Sequence, residues 1–306
     1  MIALDYVKLY LKNIDIPRLT RLPELDFKTS VSISTGLYSN NIEAEYYHCT
    51  IKIIASRAGT SSYVEFSGSI HKMWNAIQGI KAPYYRGNRN DKGFNGNIFT
   101  LNDFNNARIH LEYLFACKAD QMIFQGVEFG VNINTPFAVN SYLQGLLYHR
   151  NIEFEFNYNK NYYVAKHNYF TLKLYNKSAQ YKIDDKNIFR AEIKILKTEE
   201  IKLKKVGMVT LGDINELTLK KALDMLIMRF DEVVYYDYTI NPEQLKDKDK
   251  LYLNHYSNPR YWIYEVKPHH RDRPKKHLKT IIENHSENLS GQIRQLMIKC
   301  APTHNV

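Results

Sequence analysis

Cysteine is scarce in this chain: Cys49, Cys117 and Cys300 are the only three in 306 residues, and they are widely spaced. They fit neither a disulfide framework nor a zinc cluster, and a reducing cytoplasm is their natural setting. No apolar run approaches the ~18–20 residues needed to cross a bilayer, so no membrane span is expected. The opening, MIALDYVKLYLKN, lacks a basic leader region and a small-residue cleavage site and alternates like a strand; it does not read as a secretory leader. Glycine-rich phosphate loops are missing as well. With no G-x-x-x-x-G-K-[ST] and no G-x-G-x-x-G after a strand, nucleotide-driven chemistry and dinucleotide binding are unsupported. H-E-x-x-H, a Cys-x-x-Cys ligand pair and the G-x-S-x-G of nucleophile-elbow hydrolases are absent too.

What is present is an ordinary globular composition, 44% hydrophobic and 24% charged. The length suits about two domains and buries a core without covalent staples. Charge is the first informative quantity: 42 Lys and Arg stand against 32 Asp and Glu, a net charge of +10. Such an excess favours polyanionic partners, nucleic acid first.

The first 70 residues are strand-like, in VKLYLKN (7–13), YYHCTIKIIA (46–55) and SYVEFSGSI (62–70). Residues 79–97, rich in Gly, Pro and basic side chains, read as a long exposed loop. Thr100 to Phe104 then opens a helix. The order repeats: a strand at 124–134, a helix at 138–148, strands at 153–159, 168–181 and 188–196, and a helix entered at Thr210 and running through 222–230. TLNDFN (100–105) and TLGDIN (210–215) match about 110 residues apart, and each follows a strand bearing a segment that ends in Lys72 or Lys177. This reads as a weak internal duplication. The expected architecture is α+β: two similar β-rich halves with packed helices, 1–119 and 120–235, and a basic C-terminal extension, 236–306. In that extension RYWIYEVKPHHRDRPKKHLK (260–279) sets aromatic residues beside a basic run, which suits phosphate contacts with base stacking.

The remaining chemistry lies in polar groups within apolar strands. Glu128 and Asn132 are four apart and share a strand face, as do Arg190 and Glu192. Glu128 and Glu192 converging from neighbouring strands would suit a hard cation, Mg²⁺ or Mn²⁺; taken singly, a strand carboxylate or an Arg190–Glu192 ion pair is the plainer reading. Between them, Tyr163 and Tyr175 lie close in sequence to Lys166, His167 and Lys177. A tyrosine beside cations is a plausible nucleophile for a phosphodiester, because nearby positive charge favours the phenolate.

At these residues the sequence resembles the replication initiators of rolling-circle phages and plasmids, including the gene II proteins of filamentous phages and the staphylococcal plasmid initiators. The resemblance spans about residues 1–235. It rests on GSIHK (68–72) followed by N-x-FT (97–100), on VEFGVNIN in place of an R-I-D-x-x-x-D strand, on YVAKH followed by LYNK, and on FRAEI in place of R-F-E. It implies an origin-specific, metal-dependent DNA nickase and strand transferase working through a covalent 5′-phosphotyrosine without ATP. Tyr163 matches the plasmid-type nucleophile and is the one favoured here; Tyr175 matches the phage-type one. Lys177, Lys166 and Arg190 would assist, with Glu128, Glu192, Asn132 and His71 as candidate metal ligands. Candidate DNA contacts are Lys72, Arg86, Arg89, Arg271, Arg273, Lys275 and Lys276. The implied partners are origin DNA, a second copy in a homodimer and the host helicase and polymerase, with no membrane. Glu128 and Asn132 stand where the family has aspartates, and Ala165 stands for a glycine, so a DNA-binding initiator or regulator without nicking activity is the alternative.

Overall fold

The computed structural model describes residues 2–55, 62–83, 92–157, 159–198 and 206–301. The chain begins with β1 (Ile2–Leu11), α1 (Ile16–Leu19), β2 (Lys28–Val31), β3 (Tyr38–Tyr46), β4 (Cys49–Ala55) and β5 (Ser62–Ser69). It continues through α2 (Ile70–Ile77), α3 (Leu101–Phe115), β6 (Met122–Asn134), α4 (Val139–Leu143), β7 (Leu146–His149), β8 (Ile152–Glu153) and β9 (Glu155–Phe156). Next come β10 (Tyr162–Lys166), β11 (Phe170–Asn176), α5 (Lys177–Tyr181), β12 (Ile188–Ile195), α6 (Glu216–Asp231) and β13 (Val233–Tyr235). Three helices close it: α7 (Asp247–Tyr256), α8 (Asp272–His285) and α9 (Leu289–Ile298). Ten strands form one sheet in the order β2-β3-β4-β5-β1-β6-β12-β11-β10-β9, and three form another, β13-β7-β8. The class is α+β, as expected.

Two compact units divide the chain. One comprises Met1–Gly130 with Lys194–Ala222. Its strands alternate cleanly: Val7, Leu9 and Leu11 of β1 are fully buried, while Tyr6, Lys8 and Tyr10 between them are partly exposed. β1 runs antiparallel to β5 with Leu9 opposite Phe66 and Val7 opposite Gly68. Gly68 has φ +151°, and a Cβ there would lie 2.6 Å from the Cys49 Cα, so the close approach of β4 requires glycine. Ser69 ends β5 and caps α2 by accepting from the Lys72 N–H. Thr100 and Asp103 form a reciprocal capping box at the start of α3. The same box recurs at Thr210 and Asp213, where it opens a short 3₁₀ turn just before α6. The end of the expected 79–97 loop is not exposed: Phe94 and Asn95 are buried, and Asn75 Nδ2 donates to the Phe94 carbonyl at 2.8 Å.

The other unit comprises Val131–Ile193 with Leu223–Ala301. β10 and β11 form an antiparallel hairpin. The strand expected over 168–181 stops at Asn176, whose side chain accepts from the Ala179 N–H and turns the chain into α5. The helix expected over 138–148 covers only α4, because Leu146–His149 pairs as β7 with β13. The segment expected to be a basic extension is helical and shares a core. Trp262 is wholly buried and donates Nε1–H to the Tyr256 carbonyl at 2.8 Å, and α8 turns Leu278, Ile281 and Ile282 inward.

Candidate functional site

Strand alternation builds the site. In β12, Phe189, Ala191 and Ile193 take one face and Arg190 and Glu192 the other, and all are buried. In β11, Leu172 and Leu174 take one face and Lys173 and Tyr175 the other. The β10–β11 register sets Tyr162 opposite Tyr175 and Tyr163 opposite Leu174. Cross-strand partners point the same way, so Tyr163 joins the apolar face with Ala165, Leu172 and Leu174. There its ring packs on Phe154 and Phe156, and burial raises its pKa, with Tyr238 adding to the shift.

On the polar face the groups converge. Glu192 accepts from Arg190 Nε at 2.7 Å, from Lys173 Nζ at 2.8 Å and from the Tyr175 hydroxyl at 3.3 Å. Lys177 Nζ reaches the Tyr175 oxygen at 3.3 Å and lies 5.3 Å from the centre of its ring. Lys177 is 1% exposed and Arg190 is fully buried. A second arm of Arg190, Nη1, donates to the side-chain Oδ1 of Asn132 at 3.0 Å. Asn132, expected as a metal ligand, accepts this bond from Arg190.

Asp5, Glu128 and Glu192 each offer a carboxylate oxygen, all within 4.8 Å of one another, and all three are buried. Among the described residues this is the group of acidic, His or Cys side chains able to hold a metal ion. Three clustered carboxylates carry a charge that burial penalises, and an all-oxygen donor set answers to a hard divalent cation. Lys173 and Arg190 offset part of that charge at Glu192. The residues present thus fit Mg²⁺ or Mn²⁺. Asp5 is further held by hydrogen bonds from Ser69 Oγ and Asn95 Nδ2. Neither Asp5 nor Lys173 is singled out by sequence. For Asp5 the only signal is a carboxylate in a strand whose neighbours Leu4 and Val7 are buried and apolar.

The other expected site residues are placed as follows. His71 lies outside the carboxylate group: its Nε2 is bonded to Asn97 Oδ1 at 2.8 Å and its ring stacks on Phe99 at 4.5 Å. Lys166 is exposed and paired with Glu155. His167 contacts His149 at 2.7 Å. Lys72 Nζ donates to the Lys92 carbonyl at 2.7 Å. Arg271, expected on phosphate, is 4% exposed and spends its guanidinium on the carbonyls of Val266 and Ile263 and on Asn151. A guanidinium so engaged braces the turn before α8. Arg273 and Lys276 lie on α8, and Lys275 is partly buried with its ammonium over the Tyr148 ring. Arg86 and Arg89 lie outside the described residues.

No protein-family model matches this chain, and no curated protein matches it. Among solved structures it is similar to a rolling circle replication initiator protein from Geobacillus stearothermophilus, at 9% identity and a TM-score of 0.36. That match covers 84% of this chain and 96% of the other.

Proposed function

We propose that this protein is a rolling-circle replication initiator that nicks one DNA strand through Tyr175. The observation that carries the reading is the Tyr175 hydroxyl held between the Lys177 ammonium and the Glu192 carboxylate, each 3.3 Å away. The order of motifs that resembles such initiators, departures included, also supports it.

In this reading Tyr175 Oη attacks a phosphorus of the origin strand, its proton passing to Glu192. The bond from phosphorus to O3′ breaks, the 5′ phosphate stays on Tyr175, and O3′ takes a proton from water to become a priming hydroxyl. Lys177 lies beside the attacking oxygen, so its charge favours the phenolate and the phosphate rather than the departing O3′ on the opposite side. Arg190 and Lys173 hold the carboxylate in place. Asp5, Glu128 and Glu192 would hold a divalent cation, which would supply charge neutralisation at the phosphate oxygens.

The test mixes protein and Mn²⁺ with labelled single strands tiled across the intergenic DNA of its own element, then looks for a slow-migrating adduct on an SDS gel. An adduct lost in Tyr175→Phe and kept in Tyr163→Phe is the expected result. Clean gel shifts without any adduct would replace nicking by origin binding alone.

A further inference from the structure

We propose that the partly exposed face of β1 and β5 is a stacking platform for single-stranded DNA, with Tyr6, Tyr10 and Tyr63 as base-stacking rings and Lys8, Lys12 and Lys194 as the backbone-tracking cations.

The alternation of β1 creates it. Val7, Leu9 and Leu11 are fully buried, so Tyr6, Lys8 and Tyr10 project together from the opposite face. Inward positions are apolar, whereas every outward position from 6 to 10 is an aromatic ring or a lysine. Tyr63 of β5 adds a second ring 4.8 Å from that of Tyr10, the two planes tilted by 54°. Cations lie on these rings: Lys194 Nζ is 4.5 Å from the Tyr6 centroid and Lys12 Nζ 5.8 Å from that of Tyr10. Lys8 emerges between the rings and pairs with Glu65 at 2.9 Å.

The occupant follows from this chemistry. Rings left partly open to solvent offer π-faces to bases of any identity, and lysines beside them meet the phosphates, the combination that single-strand binding uses. Duplex DNA hides its base faces in the stack, and an acidic protein surface would gain little from three tyrosine rings. The net charge of +10 favours a polyanion over a second copy of this chain. The sequence alone singles out none of these six residues, since it points to loops and to the C-terminal basic run for DNA contacts.

The inference rests on the reading of this protein as DNA-binding but not on its nicking chemistry. The full chain would be titrated with fluorescent oligothymidylate and followed by anisotropy. Tyr10→Ala and Tyr63→Ala should each weaken binding about tenfold, while Tyr10→Phe and Tyr63→Phe bind within about twofold of wild type, because stacking survives loss of the hydroxyl. Affinity for a blunt duplex should not change. Wild-type protein crosslinked to an iodouracil-substituted strand needs no substitution, and its adducts should map to the peptides bearing Tyr6, Tyr10 or Tyr63. Unchanged affinity in a folded Tyr10→Ala/Tyr63→Ala variant, or crosslinks mapping only elsewhere, overturns the platform. So does tighter binding of oligouridylate than of oligothymidylate, which would assign the surface to RNA. If these results hold while no SDS-stable adduct ever forms, nicking falls and the platform stands. An adduct with unaltered binding in the alanine variants means the opposite: nicking stands and the platform falls.

Discussion

Tyr163 and Tyr175 lie on adjacent antiparallel strands, but Tyr163 is opposite Leu174 while Tyr175 is opposite Tyr162, and this one-residue offset sends the two phenols to opposite faces of the sheet. One ring enters an apolar layer of Phe154 and Phe156; the other meets Lys177 and Glu192.

The two tyrosines should therefore separate by readout. Tyr163→Ala empties a buried site and should cost about 3–5 kcal/mol of stability, whereas Tyr163→Phe should leave both folding and adduct formation close to wild type. Tyr175→Phe should melt near the wild-type temperature yet form no adduct. Thermal melts run beside the SDS-gel assay check both halves.

Glu192→Ala should destabilise the fold by about 3–5 kcal/mol, because it takes the carboxylate from a fully buried guanidinium. Lys173→Met should cost less, since that ammonium is 18% exposed and water replaces part of what is lost. Urea midpoints order the two; a larger loss in Lys173→Met would contradict the burial argument.

Metal binding should register without any DNA. Mn²⁺ should raise the melting temperature of the wild-type protein through preferential binding to the folded state. Glu128→Gln should abolish that rise while leaving the metal-free melting temperature near wild type. EDTA should eliminate the adduct but not the gel shift.

Acid should weaken the fold through His167. Burial, together with the charges of His149, Arg150 and Arg229, pushes its pKa down to about 4. The folded state thus binds this proton later than the unfolded chain, whose imidazole titrates near about 6.5. The stability it contributes is fully present above about 6.5 and is lost as pH falls towards about 4. Chemical denaturation at about pH 7 and about pH 4.5 should show a larger drop for wild type than for His167→Leu, which has no proton to bind.

Much of the fold is legible in the sequence because period-two alternation and capping residues are local signals. β1, β5, β6 and β12 lie close to where their apolar spacing puts them, and both Thr-x-x-Asp boxes form. β2 and the start of β3 escape such a reading because their side chains are mostly exposed and leave no inward apolar pattern. The strand expected through 181 overruns its true end because β-branched and aromatic spacing does not reveal that the Asn176 side chain caps α5. Arg271 departs from expectation for a related reason: a run of basic residues does not say which member folds inward onto carbonyls.

The sequence by itself determined the class, the basic charge, and which strands carry Glu128, Glu192, Arg190 and Tyr175 and which strand end carries Lys177, since those depend on neighbours within a few residues. Tertiary structure decided which of them meet. Only strand register chose Tyr175 over Tyr163 as the phenol beside Glu192, turned Asn132 towards Arg190, and added Asp5 and Lys173. Register is set by pairing between segments far apart in the chain, and a shift of one residue would have reversed every one of those faces.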